Sequence, residues 1–201
     1  MASIRAKTMI INFATSNAGK VQSMKRHLRD FDVTVKQVTL PLIEPQADTV
    51  EEIAISKAKQ AYEILKAPVV VEDGSFCIDA LNGFPGPYIK YTLETIGVEG
   101  IMQLASTLRS RQCRFVSALA YADASGEVRV FKERGVFGRL ADTIADENVD
   151  GAWSDLWRVF IPEGGSLALS ALTSAERDKL FATWQKDSQF TKLGEWLAEN
   201  A

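Results

Sequence analysis

Residues 69–91, VVVEDGSFCIDALNGFPGPYIKY, constrain the fold of this chain more than any other stretch. They open with three valines, a short β-branched run typical of a strand buried on both faces in an α/β sheet. We expect this strand to end at the adjacent carboxylates Glu72 and Asp73. Ligands of open α/β sheets bind beyond the carboxyl ends of strands, where carboxylates suit a hard cation such as Mg²⁺. On spacing alone, an ordinary polar turn explains the same residues equally well.

Length and charge limit the possible classes. The chain has 201 residues, which suits one domain over residues 1–201 or two closely packed lobes. Its net charge of -3 gives no reason to expect nucleic-acid binding. No run of about 18 apolar residues is present, so we expect no membrane span. The first residues lack the pattern of a signal peptide, and Cys77 and Cys113 form no CxxC motif, which together favour the cytoplasm.

His27 is the only histidine, and its neighbours indicate a surface position on a helix. A Ser-His-Asp triad or a histidine-rich metal site is therefore not expected. Carboxylates, lysines and a hard metal ion must carry any chemistry.

A strand, a small polar loop and a helix are predicted near the N-terminus. Residues 8–14 are apolar, residues 15–20 read TSNAGK, and Val21, Met24 and Leu28 follow with helical spacing. Helix N-termini bind phosphates, and Lys20 adds a positive charge in the first turn. The loop does not match the P-loop pattern, and a simple capped helix remains the alternative.

A second helix is predicted to start near Val50, because Thr49 and Glu52 have the spacing of a capping box. Lys57 falls inside its apolar stripe. A lysine there either extends to solvent or points into a site with anions, and we favour the second because carboxylates and a phosphate loop are expected nearby. The remaining expected elements are strands at 31–40, 115–121, 128–134 and 136–140, and helices at 89–96, 99–108 and from a cap at Ser174.

Four blocks in this order resemble the inosine triphosphate pyrophosphatase (Ham1-like) family. TSNAGK is similar to the family's T-x-N-x-x-K, and EEIAISKA, preceded by Glu44, is similar to its metal-binding glutamate and E-E-I-A-x-x-K-A helix. Residues 71–91 resemble V-x-E-D-[ST]-x-L-x-x-x-A-L-x-G-x-P-G-x-Y-x-K, and FVSALAYAD with the later GRLAD completes the set. The resemblance covers residues 8–142.

The resemblance implies a fold and a reaction. The fold is an elongated, mixed, twisted central sheet flanked by helices, with two lobes around a cleft, in a chain that pairs as a homodimer. The reaction is Mg²⁺-dependent cleavage of a nucleoside triphosphate to the monophosphate and pyrophosphate. By resemblance, Asp73 is the general base, and Glu44 and Asp73 hold the metal with support from Glu72. The resemblance also implies that the triphosphate is contacted by Thr15, Ser16, Asn17, Lys20, Lys57 and Ser75. Of these, Lys20 and Lys57 are also catalytic.

The C-terminal third departs from the family pattern. Counting back from residues 160–164 places Trp157 where the family has the aspartate that reads the purine, with Asp155 two positions away. An ungapped reading of the later K-N-x-x-S-H-R motif leaves Lys186 as its remaining positive charge. We therefore expect altered or relaxed base recognition. The alternatives are a non-catalytic nucleotide-binding protein that keeps the fold, and a hydrolase of another phosphorylated metabolite.

Overall fold

One mixed sheet organises the chain in a computed structural model, which describes residues 9–200. The strands follow the order β2-β1-β3-β5-β7-β8, with β4 paired to β3 and β6 paired to β5. Their bounds are β1 Met9–Ala14, β2 Val33–Val38, β3 Val69–Ile78, β4 Pro85–Gly86, β5 Gln112–Ala122, β6 Val128–Lys132, β7 Val136–Leu140 and β8 Phe160–Pro162. Residue 8, where the first strand was expected to begin, lies outside the described residues.

Helices flank the sheet. The helix expected near Val50 forms where the capping box predicts it, with the Thr49 hydroxyl accepting a hydrogen bond from the Glu52 amide. The helices are α1 Ala18–His27, α2 Val50–Leu65, α3 Ile89–Thr95, α4 Gly97–Ala105, α5 Ser174–Gln185 and α6 Gln189–Asn200. No helix among residues 9–200 is long and apolar enough to cross a membrane.

The two longest strands, β3 and β5, run antiparallel through the whole sheet and join its two lobes. They pair continuously from Val69 opposite Ala122 to Ile78 opposite Cys113. Strands β1, β2 and β6 extend the sheet at one end, and β4, β7 and β8 extend it at the other. The expected end of the strand at Glu72 and Asp73 is therefore wrong, because pairing with β5 continues the strand to Ile78.

A gap in strand pairing places polar residues of β3 in the open. β1 pairs with β3 only through Val69 and Val70, and β4 pairs with it only through Phe76 and Cys77. Between these pairs, no described strand covers that edge of β3. Residues 72–75 thus lie just past the end of the parallel part of the sheet, which is where a ligand site was expected.

Alternating side chains of β3 enter different cores. Val70 packs with residues of α1 and α6, whereas Val69 and Val71 pack against the alanines of α2. Because successive residues of a strand point to opposite faces, Glu72 continues the α1–α6 face and Asp73 continues the α2 face. The adjacent carboxylates therefore meet different helices.

Two local expectations are wrong. His27 is buried at 9% exposure, with its ring against Phe190 and its Nδ1 2.7 Å from the Ser23 carbonyl oxygen. Burial lowers the pKa of His27 more than the Ser23 contact raises it. The cap of α5 is Thr173 rather than Ser174, because Thr173 and Glu176 form a reciprocal capping box.

Gly138 allows β7 and β8 to pack tightly. A Cβ atom there would lie 2.6 Å from the Phe160 ring and against the Ile161 carbonyl oxygen. We expect Gly138→Ala to lower the free energy of unfolding by about 2 kcal/mol, because the backbone of β8 must shift to admit the methyl group. Urea denaturation measures the change. Arg139→Ala, one residue away, is the control with an expected change below about 0.5 kcal/mol, and equal effects would contradict the explanation.

Candidate active site

The first loop of the site joins β1 to α1. Asn17 caps α1, accepting a hydrogen bond from the Lys20 amide at 3.1 Å, and its Nδ2 donates to the Trp153 carbonyl oxygen at 3.0 Å. The Thr15 hydroxyl oxygen accepts from the Asn17 amide. Ser16 lines the cleft without a described side-chain hydrogen bond. The loop therefore presents the positive end of a helix and the Lys20 ammonium to the cleft.

Lys57 joins the two carboxylates predicted to hold a metal. Its Nζ donates to Glu44 Oε2 at 2.7 Å and to Asp73 Oδ1 at 3.0 Å. The side chain leaves the apolar stripe of α2 to reach them and is 15% exposed. Oxygens of Glu44 and Asp73 thus converge on the same cationic nitrogen atom.

Burial and opposite charges have opposing effects on the pKa values of Asp73, Lys57 and Glu44. Burial raises the pKa of Asp73 by more than the nearby Lys57 and Lys20 lower it. For Lys57, burial favours a lower pKa, but the carboxylates of Asp73 and Glu44 outweigh it and raise the pKa. Burial also favours a higher pKa at Glu44, but the Lys57 hydrogen bond together with the charges of Lys57, Lys90 and Lys20 outweighs it and lowers the pKa. Asp73 is therefore the less solvated of the two carboxylates and the one that gains more from another cation.

Glu72 pairs with the other lysine. Its Oε2 lies 3.4 Å from Lys20 Nζ, and its Oε1 accepts a hydrogen bond from Gln189 Nε2 at 3.2 Å. The side chain is 8% exposed, and Oε2 is buried without a hydrogen bond of good geometry. The sheet thus separates two pairs: Lys57 with Glu44 and Asp73 on the α2 face, and Lys20 with Glu72 on the opposite face.

Both pairs border one cleft between the lobes, with a volume of about 710 Å³. This volume is within the range of small-molecule sites. One of its walls is aromatic: Trp153 packs edge-on to Phe115 and Trp157, and Phe181 contacts Trp157 and Trp184. The cleft therefore combines a charged end with an apolar end that suits a flat ring.

Four other residues proposed for the substrate occupy different surroundings. The Ser75 hydroxyl lines the cleft but donates its hydrogen to the Val116 carbonyl oxygen at 3.2 Å. Asp155 is exposed and accepts from Asn148, and Lys186 is exposed at the end of α5. Neither Asp155 nor Lys186 belongs to the described residues that line the cleft. Trp157 does line it, 3% exposed, with its indole nitrogen unpartnered.

Sequence reasoning missed several residues of the cleft. Lys90 and Arg177 line it, and Gln189 lies at its floor against Glu72. The spacing of the Gly- and Pro-rich loop contained a signal for Lys90, since it ends the G-x-P-G-x-Y-x-K pattern. No comparable signal marks Gln189, which reaches the site because α6 begins there.

The donor set fits Mg²⁺ shared with a substrate. Among the described residues, no three histidine, cysteine or acidic side chains gather into a metal cluster. Mg²⁺ commonly binds one or two carboxylates together with substrate phosphates, and a cationic nitrogen already lies between Glu44 and Asp73. Glu72 faces away from them, so it would not contact a cation held between Glu44 and Asp73.

Buried carboxylates, paired lysines and a helix N-terminus around one cleft define a class of α/β proteins that handle phosphorylated ligands. The chain belongs to the Ham1 family, whose model matches residues 11–182. It is 36% identical over 192 residues to the dITP/XTP pyrophosphatase of Methanopyrus kandleri, covering 96% of this chain and 98% of the relative. It is 31% identical to the inosine triphosphate pyrophosphatase of Podospora anserina, covering 94% of each.

Solved structures agree on the fold. A HAM1 protein from Coxiella burnetii superposes with a TM-score of 0.75 at 20% identity, over 95% of this chain and 99% of that one. The Ham1 protein of Staphylococcus aureus gives a TM-score of 0.73 at 22% identity, over 96% and 100%. The expected mixed, twisted sheet with flanking helices is thereby confirmed.

Proposed function

We propose that this chain hydrolyses nucleoside triphosphates, with Mg²⁺, to the nucleoside monophosphate and pyrophosphate. The observation that carries the proposal is the contact of Lys57 with both Glu44 and Asp73, at the end of a cleft that Lys20 also borders. Relatives named dITP/XTP pyrophosphatase and inosine triphosphate pyrophosphatase support the same reaction class.

Each charged group has a defined task in this reaction. Lys20, the capped start of α1 and Lys57 neutralise the triphosphate, whose charge spreads over its oxygens in the transition state. Lys57 engages Asp73 Oδ1, so Oδ2 is the atom that orients the attacking water and accepts its proton. Glu44 and Asp73 hold Mg²⁺ when it is bound, and the ion supplies further neutralisation of phosphate charge. Water attacks the α-phosphorus, and pyrophosphate leaves.

The substrates proposed are non-canonical purine nucleotides, ITP, dITP and XTP, with relaxed discrimination against standard bases. Trp157 occupies the aromatic end of the cleft, and Asp155 lies outside it. A wall of aromatic rings favours any flat base by stacking, whereas discrimination requires paired polar groups. A homodimer is the assembly that the resemblance implies, and the cytoplasm is the location that the sequence favours. Exposed apolar side chains around α3, including Tyr88, Tyr91 and Ile96, are available to a second copy.

A pyrophosphate-release assay with Mg²⁺ tests the function across ITP, dITP, XTP and the standard nucleotides. We expect one pyrophosphate and one monophosphate per turnover, loss of activity with EDTA, and detectable turnover of standard nucleotides. Nucleotide binding without turnover would support the non-catalytic alternative. Orthophosphate as the primary product would contradict attack at the α-phosphorus, and turnover of ITP and XTP alone would contradict relaxed base choice.

A further inference from the structure

A chain of partly buried polar side chains lies behind Lys20 on the α1–α6 face of the sheet. Gln189 Nε2 donates to Glu72 Oε1 at 3.2 Å and to Ser117 Oγ at 3.0 Å. Ser117 Oγ donates to Glu133 Oε1 at 2.6 Å. We call Glu72, Ser117, Glu133 and Gln189 the Gln189 network.

Contacts on both sides of Glu133 hold the start of α6 against the sheet. The carboxylate of Asp187 accepts from the Arg134 amide at 3.2 Å, and Lys192 Nζ donates to the Lys132 carbonyl oxygen at 2.7 Å. Gln189 is the first residue of α6 and only 3% exposed. Its position in the network is therefore fixed by the side-chain contacts of Asp187 before it and Lys192 after it with the backbone next to Glu133.

The hydrogen bonds of the Gln189 network have a defined donor-to-acceptor direction. A hydroxyl group has a single hydrogen, and Ser117 gives it to Glu133, so its oxygen accepts from Gln189. The Glu72 carboxylate also only accepts. Two acceptors thus orient the Gln189 amide with its nitrogen towards Glu72, which leaves Gln189 Oε1 buried and unpartnered. A buried acceptor without a partner destabilises the folded state. The unpaired Gln189 Oε1 is thus the cost of the orientation in which Gln189 Nε2 donates to Glu72.

Gln189 affects the surroundings of Lys20 through its contact with Glu72. Gln189 holds one carboxylate oxygen of Glu72, and the other faces Lys20 Nζ at 3.4 Å. The ammonium also lies 3.5 Å from the Glu72 carbonyl oxygen. Both contacts are long for charged partners, so Lys20 is placed at the cleft without being tightly held there.

We infer that Gln189 is a positioning residue for Lys20: by satisfying Glu72 Oε1, it keeps Glu72 from closing on the lysine that binds the triphosphate. The inference rests on the proposed role of Lys20 towards phosphate. Without the Gln189 donor, Glu72 is a buried carboxylate whose strongest remaining partner is Lys20. Glu72 then closes on the ammonium and competes with the phosphates for it, which weakens binding of the triphosphate group itself.

The variant Gln189→Met removes the donor at similar volume, and Gln103→Met on the exposed face of α4 is the matched control. We expect Gln189→Met to raise KM for ITP about tenfold with kcat within about twofold, because binding in the ground state is lost. Inorganic tripolyphosphate, measured by calorimetry, should bind about tenfold more weakly as well. In a Lys20→Met background, Gln189→Met should change neither quantity further.

Other results overturn the inference. Weaker binding of ITP with unchanged tripolyphosphate affinity would mean that Gln189 touches the base. An equal loss with and without Lys20 would mean that it acts by another route. Should Gln189→Met fail to fold, Ser117→Ala removes the neighbouring acceptor and is expected to weaken tripolyphosphate binding about threefold. Because tripolyphosphate binding needs no turnover, an inactive wild-type protein would refute the proposed function while leaving this test decisive.

Discussion

Replacing Asp73 by Asn is expected to lower pyrophosphate release from ITP by about a thousandfold. The amide cannot take the proton of the attacking water, and it is a weaker ligand for Mg²⁺ than a carboxylate. Lys57 also loses the charge of one of its two acceptors. The loss should fall on kcat, since the proton is transferred in the transition state. Initial rates at saturating ITP and Mg²⁺ measure it.

The matched control is Asp142→Asn, which removes a charge from an 85% exposed side chain outside the cleft lining. Its activity should equal that of the wild type within about twofold, as for ordinary surface substitutions. Tripolyphosphate binding by Asp73→Asn should persist, which shows that the variant is folded. Full activity of Asp73→Asn would remove Asp73 from the mechanism.

The second large effect concerns stability. Burial raises the pKa of Glu133 from 4.5 to about 7, against a hydrogen bond from Ser117 and with added repulsion from Glu72. An acid with a raised pKa in the folded state binds its proton more tightly there, so its ionisation penalises folding as pH rises from 4.5 to about 7. Below that window the penalty is absent, and above it the penalty is complete. Glu133→Gln should therefore be more stable than the wild type at pH 8, by up to about 3 kcal/mol.

Urea denaturation at about pH 8 and about pH 4 measures this difference. The gain should be largest at the higher pH and should vanish at the lower one, where the protonated Glu133 carboxyl group is as neutral as the amide that replaces it. Glu127→Gln, on the exposed turn before β6, is the control and should show no such pH dependence. An equal gain at both pH values would contradict the assignment of the penalty to ionisation.

Local patterns predicted much of the charged end of the cleft. The capping box predicted the start of α2, and the apolar spacing that follows placed Lys57 on the buried stripe, where a lysine needs anions. The short polar loop before α1 was predicted from the change in periodicity and from Lys20. These signals are local, because the spacing of residues along one helix determines which face each of them occupies.

The features that were missed depend on contacts between distant segments. The length of β3 follows from its continuous pairing with β5, which the valine run alone does not reveal. Gln189 joins the site because residues 187 and 192 contact the strand end near residue 133. Asp155 and Lys186 were placed by counting along the chain, and they lie exposed at the turn of residues 155–158 and at the end of α5, outside the described residues that line the cleft.

Because side chains alternate along β3, the two lysine–carboxylate pairs depend on different segments of the chain. Asp73 depends on α2, which belongs to the N-terminal part of the chain, whereas Glu72 depends on Gln189 from its C-terminal helix. Substitutions in the C-terminal third that reach Gln189 change the surroundings of Glu72 without removing the direct contact between Asp73 and Lys57. Such substitutions can thus change how tightly the cleft binds a ligand while the contacts of Asp73 stay in place.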